Sequence, residues 1–209
     1  MIKKHLKLLI VTTIIILLPI AAGLILWQQL PEQIPSHWNV KGEVDGWASK
    51  PFVVFSLPMI LAAAQWFCVI VTSVDPKGKN HTDKMMGLVL WIIPLLSVIL
   101  SVLTYATALG QNIRVELVMP MVMGVLFVII GNYLPKCKQN YTIGIKIAWT
   151  LNSEENWNKT HRLAGWLWTI SGLIMIPTAF VGFWVMLPIT LVMVIVPLIY
   201  SYSLYKKGI

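Results

Sequence analysis

Residues 163–205 decide the fold, and they read LAGWLWTISGLIMIPTAFVGFWVMLPITLVMVIVPLIYSYSLY without one charged side chain. A single helix of this length would extend about 64 Å, roughly twice the hydrocarbon core of a bilayer. We therefore predict two membrane-spanning helices in this stretch, joined by a minimal turn near residues 182–184. An uncharged stretch this long indicates an integral membrane protein.

Four more apolar segments precede this stretch, and each has the roughly 20 residues that a helix needs to cross a bilayer. They lie at about 8–30, 52–74, 85–109 and 117–134. The composition agrees, because 57% of the residues are hydrophobic and only 11% are charged. We predict an all-α polytopic membrane protein with six transmembrane helices and a small extracellular loop subdomain. The first segment is longer than the apolar core of a signal peptide, so we interpret it as an uncleaved helix.

The positive charges predict the orientation of these helices. Lys and Arg concentrate in cytoplasmic loops. With the amino terminus inside, the inner segments hold 13 of the 16 basic residues and the outer segments hold Lys41, Lys50 and Arg114. We therefore predict both termini in the cytoplasm of a bacterial cell. Membrane orientation explains the net charge of +8 better than nucleic-acid binding does, since the basic residues are scattered between apolar runs.

The lengths of the loops suggest that the chain is divided into two structural units. Residues 1–74 are predicted to form a two-helix unit with an extracellular loop at 31–51. Residues 75–209 are predicted to form a four-helix unit with a cytoplasmic loop at 135–162.

Sequence signals for catalysis and for cofactors are absent. There is no His-Glu-x-x-His, phosphate-cradling glycine loop or Gly-x-Ser-x-Gly, and the two cysteines form no disulfide framework. No ionisable residue lies deep in a predicted span, which disfavours a proton-coupled transporter. We predict no catalytic residue, no metal site and no cofactor. Gln65 and Asn132, the most polar residues of the spans, are interpreted as joining helices by hydrogen bonds.

The outer loop is the first segment with functional information. It has turn signals at Val40-Lys41-Gly42-Glu43 and Asp45-Gly46, which predict a compact hairpin. We expect Trp38 and Trp47 to seat this hairpin on the helix ends. The spacing of His37, Glu43 and Asp45 matches no zinc or calcium loop. Two aromatic rings and mixed charge on a proline-bounded backbone favour a surface for an extracellular peptide.

The inner loop is the second such segment. Between residues 135 and 162 it holds five basic and two acidic residues. Asn152 and Glu155 have the spacing of a capping box, so a helix is expected to begin there and continue into the fifth span. Two interpretations stay open on physical grounds, namely attraction to anionic lipid and a specific docking site for a protein.

Both loops resemble a known family. Two runs resemble the signature of the SdpI family: GNYLPKCKQNYTIGIKIAWTL at residues 131–151 and EENWNKTHRLAG at residues 154–165. The external Pro35-Ser36-His37-Trp38-Asn39 and Gly42-Glu43-Val44-Asp45-Gly46 resemble the domain usually fused to it. The resemblance extends over nearly the whole chain in order.

This resemblance implies an immunity protein that protects a cell from a secreted peptide toxin. It also implies a receptor that, on sensing toxin, holds a cytoplasmic transcriptional repressor at the membrane. The implied partners are the lipid bilayer, the toxin and the repressor, with no direct contact to nucleic acid. The residues expected to sense toxin are His37, Trp38, Asn39, Glu43, Asp45 and Trp47. The residues expected to bind the cytoplasmic partner are Lys146, Trp149, Thr150, Trp157, His161 and Arg162.

The sequence departs from the family at one place. The family usually reads Ile-Arg-Thr-Pro-Trp-Thr where this chain has Ile145-Lys146-Ile147-Ala148-Trp149-Thr150. Lys keeps the charge of Arg but loses its bidentate fork, which implies a weaker grip on a partner carboxylate or a lipid phosphate. Two alternatives stay open: a small transporter or exporter, and a membrane enzyme that uses His37 or His161 as an acid or base.

Overall fold

The computed structural model describes residues 2–209, apart from the side chain of Phe183. Within that part of the chain it contains helices and one pair of strands. In chain order these are α1 Ile2–Ile25, β1 Gln33–Trp38, β2 Val44–Ser49, α2 Leu57–Ser73, α3 Asp83–Ala108, α4 Val115–Tyr133, α5 Ala148–Asn152, α6 Glu154–Thr178 and α7 Met186–Lys206. A π-helical turn, Phe52–Ser56, leads into α2.

The apolar segments of the sequence form helices, as predicted. Among the described residues, five helical segments have the length and apolar composition to cross a membrane: α1, α2 with its π-helical turn, α3, α4 and α7. Helix α6 is not among them, because its first nine residues include five charged or histidine side chains. The predicted split of residues 163–205 into two helices is confirmed, with the break at 179–185. Helix α1 starts six residues earlier and ends five residues earlier than predicted.

The described residues group into two compact units. The first contains α1, the hairpin, α2 and α3, and it ends at Val115. The second contains Val74–Thr82 and Glu116–Ile209. The sequence analysis assigned α3 to the later unit. The difference has a physical reason, because Ser97 and Tyr105 of α3 donate hydrogen bonds to backbone carbonyls of α1.

Polar side chains join the helices of the first unit. The Gln65 amide of α2 donates to the Thr12 hydroxyl of α1 at 2.8 Å, and the Trp66 indole donates to Thr13 at 3.1 Å. Such bonds satisfy polar groups for which lipid offers no partner. The interpretation of Gln65 is therefore confirmed. Asn132 behaves differently, because it is exposed at the end of α4 and accepts from Lys136 in the turn that follows α4, with no bond to another helix among the described residues.

The predicted hairpin is confirmed. Strands β1 and β2 pair antiparallel, with Ile34 opposite Ala48 and Trp38 opposite Val44. Ile34 is fully buried in a cluster with Leu30 and Val53. Trp47 is 57% exposed, so the expectation that it seats the hairpin is wrong. Successive strand residues point to opposite faces, and here Ile34 and Ala48 occupy the inward face.

Glycines bring α4 and α6 of the second unit close together. A Cβ atom on Gly131 would lie 2.6 Å from the Thr169 nitrogen, and one on Gly172 would lie 2.5 Å from the Gly124 oxygen. Helix α6 begins with Ser153 as its N-cap, whose hydroxyl accepts from the Asn156 N–H at 3.1 Å. The capping position predicted at Asn152 was therefore wrong by one residue.

Candidate functional site

The turn of the hairpin is built by Asn39. Its side-chain oxygen accepts from the N–H groups of Lys41 at 2.8 Å and Glu43 at 3.1 Å, and its amide donates to the Glu43 carboxylate at 2.9 Å. Gly42 takes a φ of +80°, which a residue with a side chain rarely adopts. Asn39 and Glu43 were predicted to sense a ligand. Both hold the turn in shape, and Glu43 is also exposed.

An imidazole–carboxylate pair lies across the two strands. His37 Nδ1 is 2.5 Å from Asp45 Oδ1, and the two side chains are 72% and 43% exposed. Gly46 makes room for this arrangement, because a Cβ atom there would lie 2.9 Å from the His37 Cβ. Together with the exposed Trp47 ring, the pair forms a surface with one aromatic face and groups that both donate and accept hydrogen bonds.

Lys50 fixes the base of the hairpin, a role that the sequence analysis missed. Its ammonium group donates to the carbonyls of Leu30 at 2.9 Å and Trp27 at 3.3 Å, and it pairs with Glu32 at 2.8 Å. The Lys50 side chain is 7% exposed. Trp27 and Leu30 lie in the turns that follow α1, and a charged donor makes stronger hydrogen bonds to such carbonyls than a neutral one does. The hairpin therefore has a defined attachment to the turns that follow α1.

The basic loop, residues 135–162, has an ordered polar core around Asn140. This side chain is fully buried and accepts from the N–H groups of Thr142 and Ile143 at 2.9 and 2.6 Å. Its amide donates to the carbonyls of Lys138 and Ile143 at 2.8 and 2.9 Å. These four bonds use the hydrogen-bonding capacity of an asparagine in full, so the loop is held in one conformation.

Trp157 and His161 form the second part of this core. Their rings stack with centroids 4.0 Å apart, and the Trp157 indole donates to the Cys137 carbonyl at 2.7 Å. His161 Nδ1 lies 2.8 Å from the Trp157 carbonyl, while Nε2 accepts from the Ile145 N–H at 3.0 Å. This pattern requires a neutral ring with its proton on Nδ1. Burial lowers the pKa of His161 to about 4, against the opposing effect of the Trp157 carbonyl.

Gly144 closes the loop over this stacked pair. Its φ is +118°, and a Cβ atom there would lie 2.5 Å from His161 Nε2. Thr150 adds a further tie, because its hydroxyl donates to the Ile145 carbonyl at 2.7 Å and accepts from the Ile147 N–H at 3.1 Å. The backbone conformation at Gly144 and the position of the His161 ring in α6 therefore depend on each other.

Asp75 is a second buried centre that the sequence analysis did not identify. Its carboxylate accepts from the Tyr141 N–H and the Thr142 hydroxyl, both at 2.9 Å, and lies 3.2 Å from His81 Nε2. The side chains of Asp75 and His81 are both fully buried. Burial raises the pKa of Asp75, but the hydrogen bonds outweigh that effect and hold it below its usual range. The sequence signal that could have indicated this centre is an Asp just after a span, followed by a His six residues later.

The six residues predicted to bind a cytoplasmic partner divide into two groups. Lys146 and Arg162 are exposed, and Trp149 is half-buried against Tyr202 and Tyr205, with ring centroids 5.2 and 6.1 Å away. The other three, Thr150, Trp157 and His161, are buried inside the loop. A buried side chain makes no direct contact with a partner, so these three position the surface that the others present.

The remaining chemistry of the loops is limited. No group of three or more His, Cys, Asp or Glu side chains is close enough to hold a metal among the described residues. Burial raises the pKa of the Cys137 thiol to about 11, so it is protonated and a poor nucleophile at neutral pH.

Comparisons with known proteins agree with this description. Residues 136–201 match the SdpI/YfhL protein family, and residues 14–62 match a domain of unknown function (DUF1648). The first match includes most of the basic loop with α6, and the second includes the whole hairpin. The chain is 27% identical over 202 residues to the Immunity protein SdpI of Bacillus subtilis (strain 168), covering 95% of this chain and 96% of that protein. No solved structure shows a significant match.

The predicted resemblance to the SdpI family is thereby confirmed. With its apolar helices, the chain is a multi-pass protein of the bacterial cell membrane.

Proposed function

We propose that this chain is an integral membrane immunity protein that makes its cell resistant to a secreted peptide toxin. The observation that carries the proposal is the similarity to the Immunity protein SdpI, which runs through 95% of this chain. It therefore includes the hairpin and the basic loop together.

The proposed topology has six transmembrane helices with both termini in the cytoplasm. Helix α6 supplies the fifth span, because from Leu163 onward it has no charged residue. The polar first part of α6 then lies in the cytoplasm with the rest of the basic loop, and the hairpin lies outside the cell. The excess of Lys and Arg on the inner side supports this orientation.

In this proposal, residues 1–74 sense the toxin through the hairpin. Trp47 offers an exposed ring, and His37 with Asp45 offers a polar pair beside it. Trp38 lies half-buried at the end of β1, and Asn39 with Glu43 fixes the adjoining turn. An aromatic anchor next to a few fixed polar groups is the usual composition of a peptide-binding surface.

Residues 75–209 then carry the signal to a cytoplasmic repressor, which the exposed part of the basic loop captures. Lys146, Trp149 and Arg162 make the contact, and the buried Thr150, Trp157 and His161 hold them in place. Toxin binding changes repressor capture only if the protein has two arrangements that the toxin binds with different affinity.

The immunity proposal is tested by expression in a related bacterium that is sensitive to the peptide toxin handled by SdpI family members. We expect cells that carry this chain to survive a toxin concentration that kills cells carrying the empty vector. Equal killing, with the protein present in the membrane, would contradict immunity to that toxin.

The receptor proposal needs a separate test, which uses a reporter gene controlled by the repressor. Trp149→Ala and Arg162→Ala should each abolish induction by toxin and leave the amount of protein in the membrane unchanged. Lys159→Ala is the matched control, because Lys159 is exposed in the same loop and, among the described residues, its ion pair is the local one with Glu155, at 2.7 Å. Induction that persists in both test variants would remove the basic loop from signalling.

A further inference from the structure

A groove in the second unit is separate from the buried centres of the basic loop. It lies between the end of α4 and the first half of α6, and its volume is about 460 Å³. Binding pockets for small molecules typically have volumes of roughly 300–1,000 Å³. Its walls come from residues 131–136 and 158–169, and Gly131 and Gly165 keep the two helices close beneath it. The groove therefore has both the size of a ligand site and a rigid floor.

The polar end of the groove is cationic. Lys136 and Arg162 both line it, and none of its lining residues is acidic. Arg162 and Asn158 are exposed and have no hydrogen-bond or ion-pair partner within the described part of the chain. Lys136 has a long contact, 3.4 Å, to Asn132, and its ammonium group lies 5.0 Å from the centroid of the Tyr133 ring. The groove thus presents two positive charges and free amide groups, which are donors that suit a phosphate.

The opposite end of the groove is apolar and faces the part of α6 that is the proposed fifth span. From Asn158 to Thr169 the lining extends about 16 Å along the helix axis. Trp166, on this side, is 66% exposed, as is typical of a Trp ring at a membrane–water boundary. A free phosphate would use only the polar end, whereas a phospholipid would use both ends. Basic pockets between transmembrane helices on the cytoplasmic side commonly bind anionic headgroups.

We propose that this groove binds the phosphate of an anionic phospholipid, with Lys136 and Arg162 contacting the phosphate and Trp166 lying along the acyl chains. Asn158 and Asn132 donate to the remaining headgroup oxygens. The site is independent of toxin sensing. Because Arg162 also belongs to the proposed docking surface, the binding is measured with protein and lipid alone.

The test uses native mass spectrometry of the purified full-length protein in detergent, with added phosphatidylglycerol or phosphatidylcholine. We expect the protein to retain phosphatidylglycerol in preference to phosphatidylcholine. The double variant K136Q/R162Q should retain at least tenfold less phosphatidylglycerol, since each cation near a membrane surface contributes about fivefold. Both side chains are exposed, so the variant should fold normally.

The matched control is K138Q/K159Q, which removes the same charge from the same loop but outside the groove. It should retain phosphatidylglycerol as the unmodified protein does. Equal losses in the two double variants would overturn the proposal, because the effect would then come from net charge. Release of the lipid by millimolar inorganic phosphate would also overturn it, because the site would then bind a free anion.

Discussion

At the scale of single residues, the basic loop depends on contacts between Gly144 and the ring of His161. Gly144 has a φ of +118°, and its missing side chain leaves the space that His161 Nε2 needs to accept from the Ile145 N–H. The buried histidine is therefore a structural group. An acid–base role for His161 would require an accessible ring, which this residue does not have.

The first prediction concerns Gly144→Ala. A left-handed backbone at a residue with a side chain costs about 1–3 kcal/mol, and the new Cβ would also displace His161. We expect trypsin to cut the basic loop faster in this variant than in the unmodified protein. Gly78→Ala is the control, because a Cβ atom there meets nothing within 4 Å. Unchanged cleavage in Gly144→Ala would contradict the described loop conformation.

The second prediction concerns pH. The pKa of His161 falls from 6.5 to about 4 in the folded protein, so the unfolded chain binds this proton more readily. The stabilisation from neutral His161 is fully present above pH 6.5 and is lost as the pH falls towards 4. It amounts to about 3 kcal/mol. The lowered pKa of Asp75 affects stability only at pH values below 3.8, the ordinary pKa of an Asp side chain, and these lie outside this pH range.

The measurement is the apparent unfolding temperature in detergent, followed by circular dichroism at pH values between about 7.5 and 4.5. The unmodified protein should lose stability across this range, and His161→Gln, which cannot titrate, should show a smaller loss. Parallel pH curves for the two proteins would show that His161 is not the titrating group.

At the scale of elements, the attachment of the hairpin to α1 decides whether its surface is presented in one orientation. A two-stranded hairpin alone is only marginally stable in water. Ile34 supplies an apolar contact, and Lys50 supplies bonds to two carbonyls in the turns that follow α1. The strands themselves thus owe their stability to the helices beneath them.

The third prediction follows from this attachment. Lys50→Met keeps much of the side-chain volume but removes the charged donor, a loss of about 1.5–3 kcal/mol. We expect chymotrypsin to cleave the purified variant faster at Trp38 and Trp47. Lys41→Met is the control, because the Lys41 side chain is exposed in the turn of the same hairpin. If the two variants are cleaved at the same rate, Lys50 does not fix the hairpin.

Some elements could be predicted from the sequence, and others could not. Apolar length alone gave the helices and the break at 179–185, since the bilayer sets the required length. Turn residues gave the hairpin. The contact of Trp47 with the helix ends was predicted wrongly, because a Trp residue in a strand indicates burial or exposure equally well and the strand register decides between them.

At the scale of the whole molecule, the chain presents two surfaces, one on the hairpin and one on the basic loop. The sequence located both segments, because they are the long polar stretches between apolar runs. It did not separate the exposed residues of the proposed surfaces from the buried residues that support them. Residue type alone does not distinguish a buried Thr, Trp or His from one at the surface. Only the fold shows that Thr150, Trp157 and His161 are buried. Asp75 and Lys50 were missed because their partners are distant in sequence.

The central claim is immunity conferred through the hairpin, and the most direct measurement is survival under toxin. Toxin-sensitive cells would carry the unmodified chain, a chain with residues 37–46 replaced by a Gly/Ser linker, or the Lys41→Met control, at equal amounts in the membrane. The account predicts survival with the unmodified chain and with the control, and killing with the linker variant. Survival with the linker variant would contradict sensing by the hairpin, and killing of all three strains would contradict immunity to that toxin.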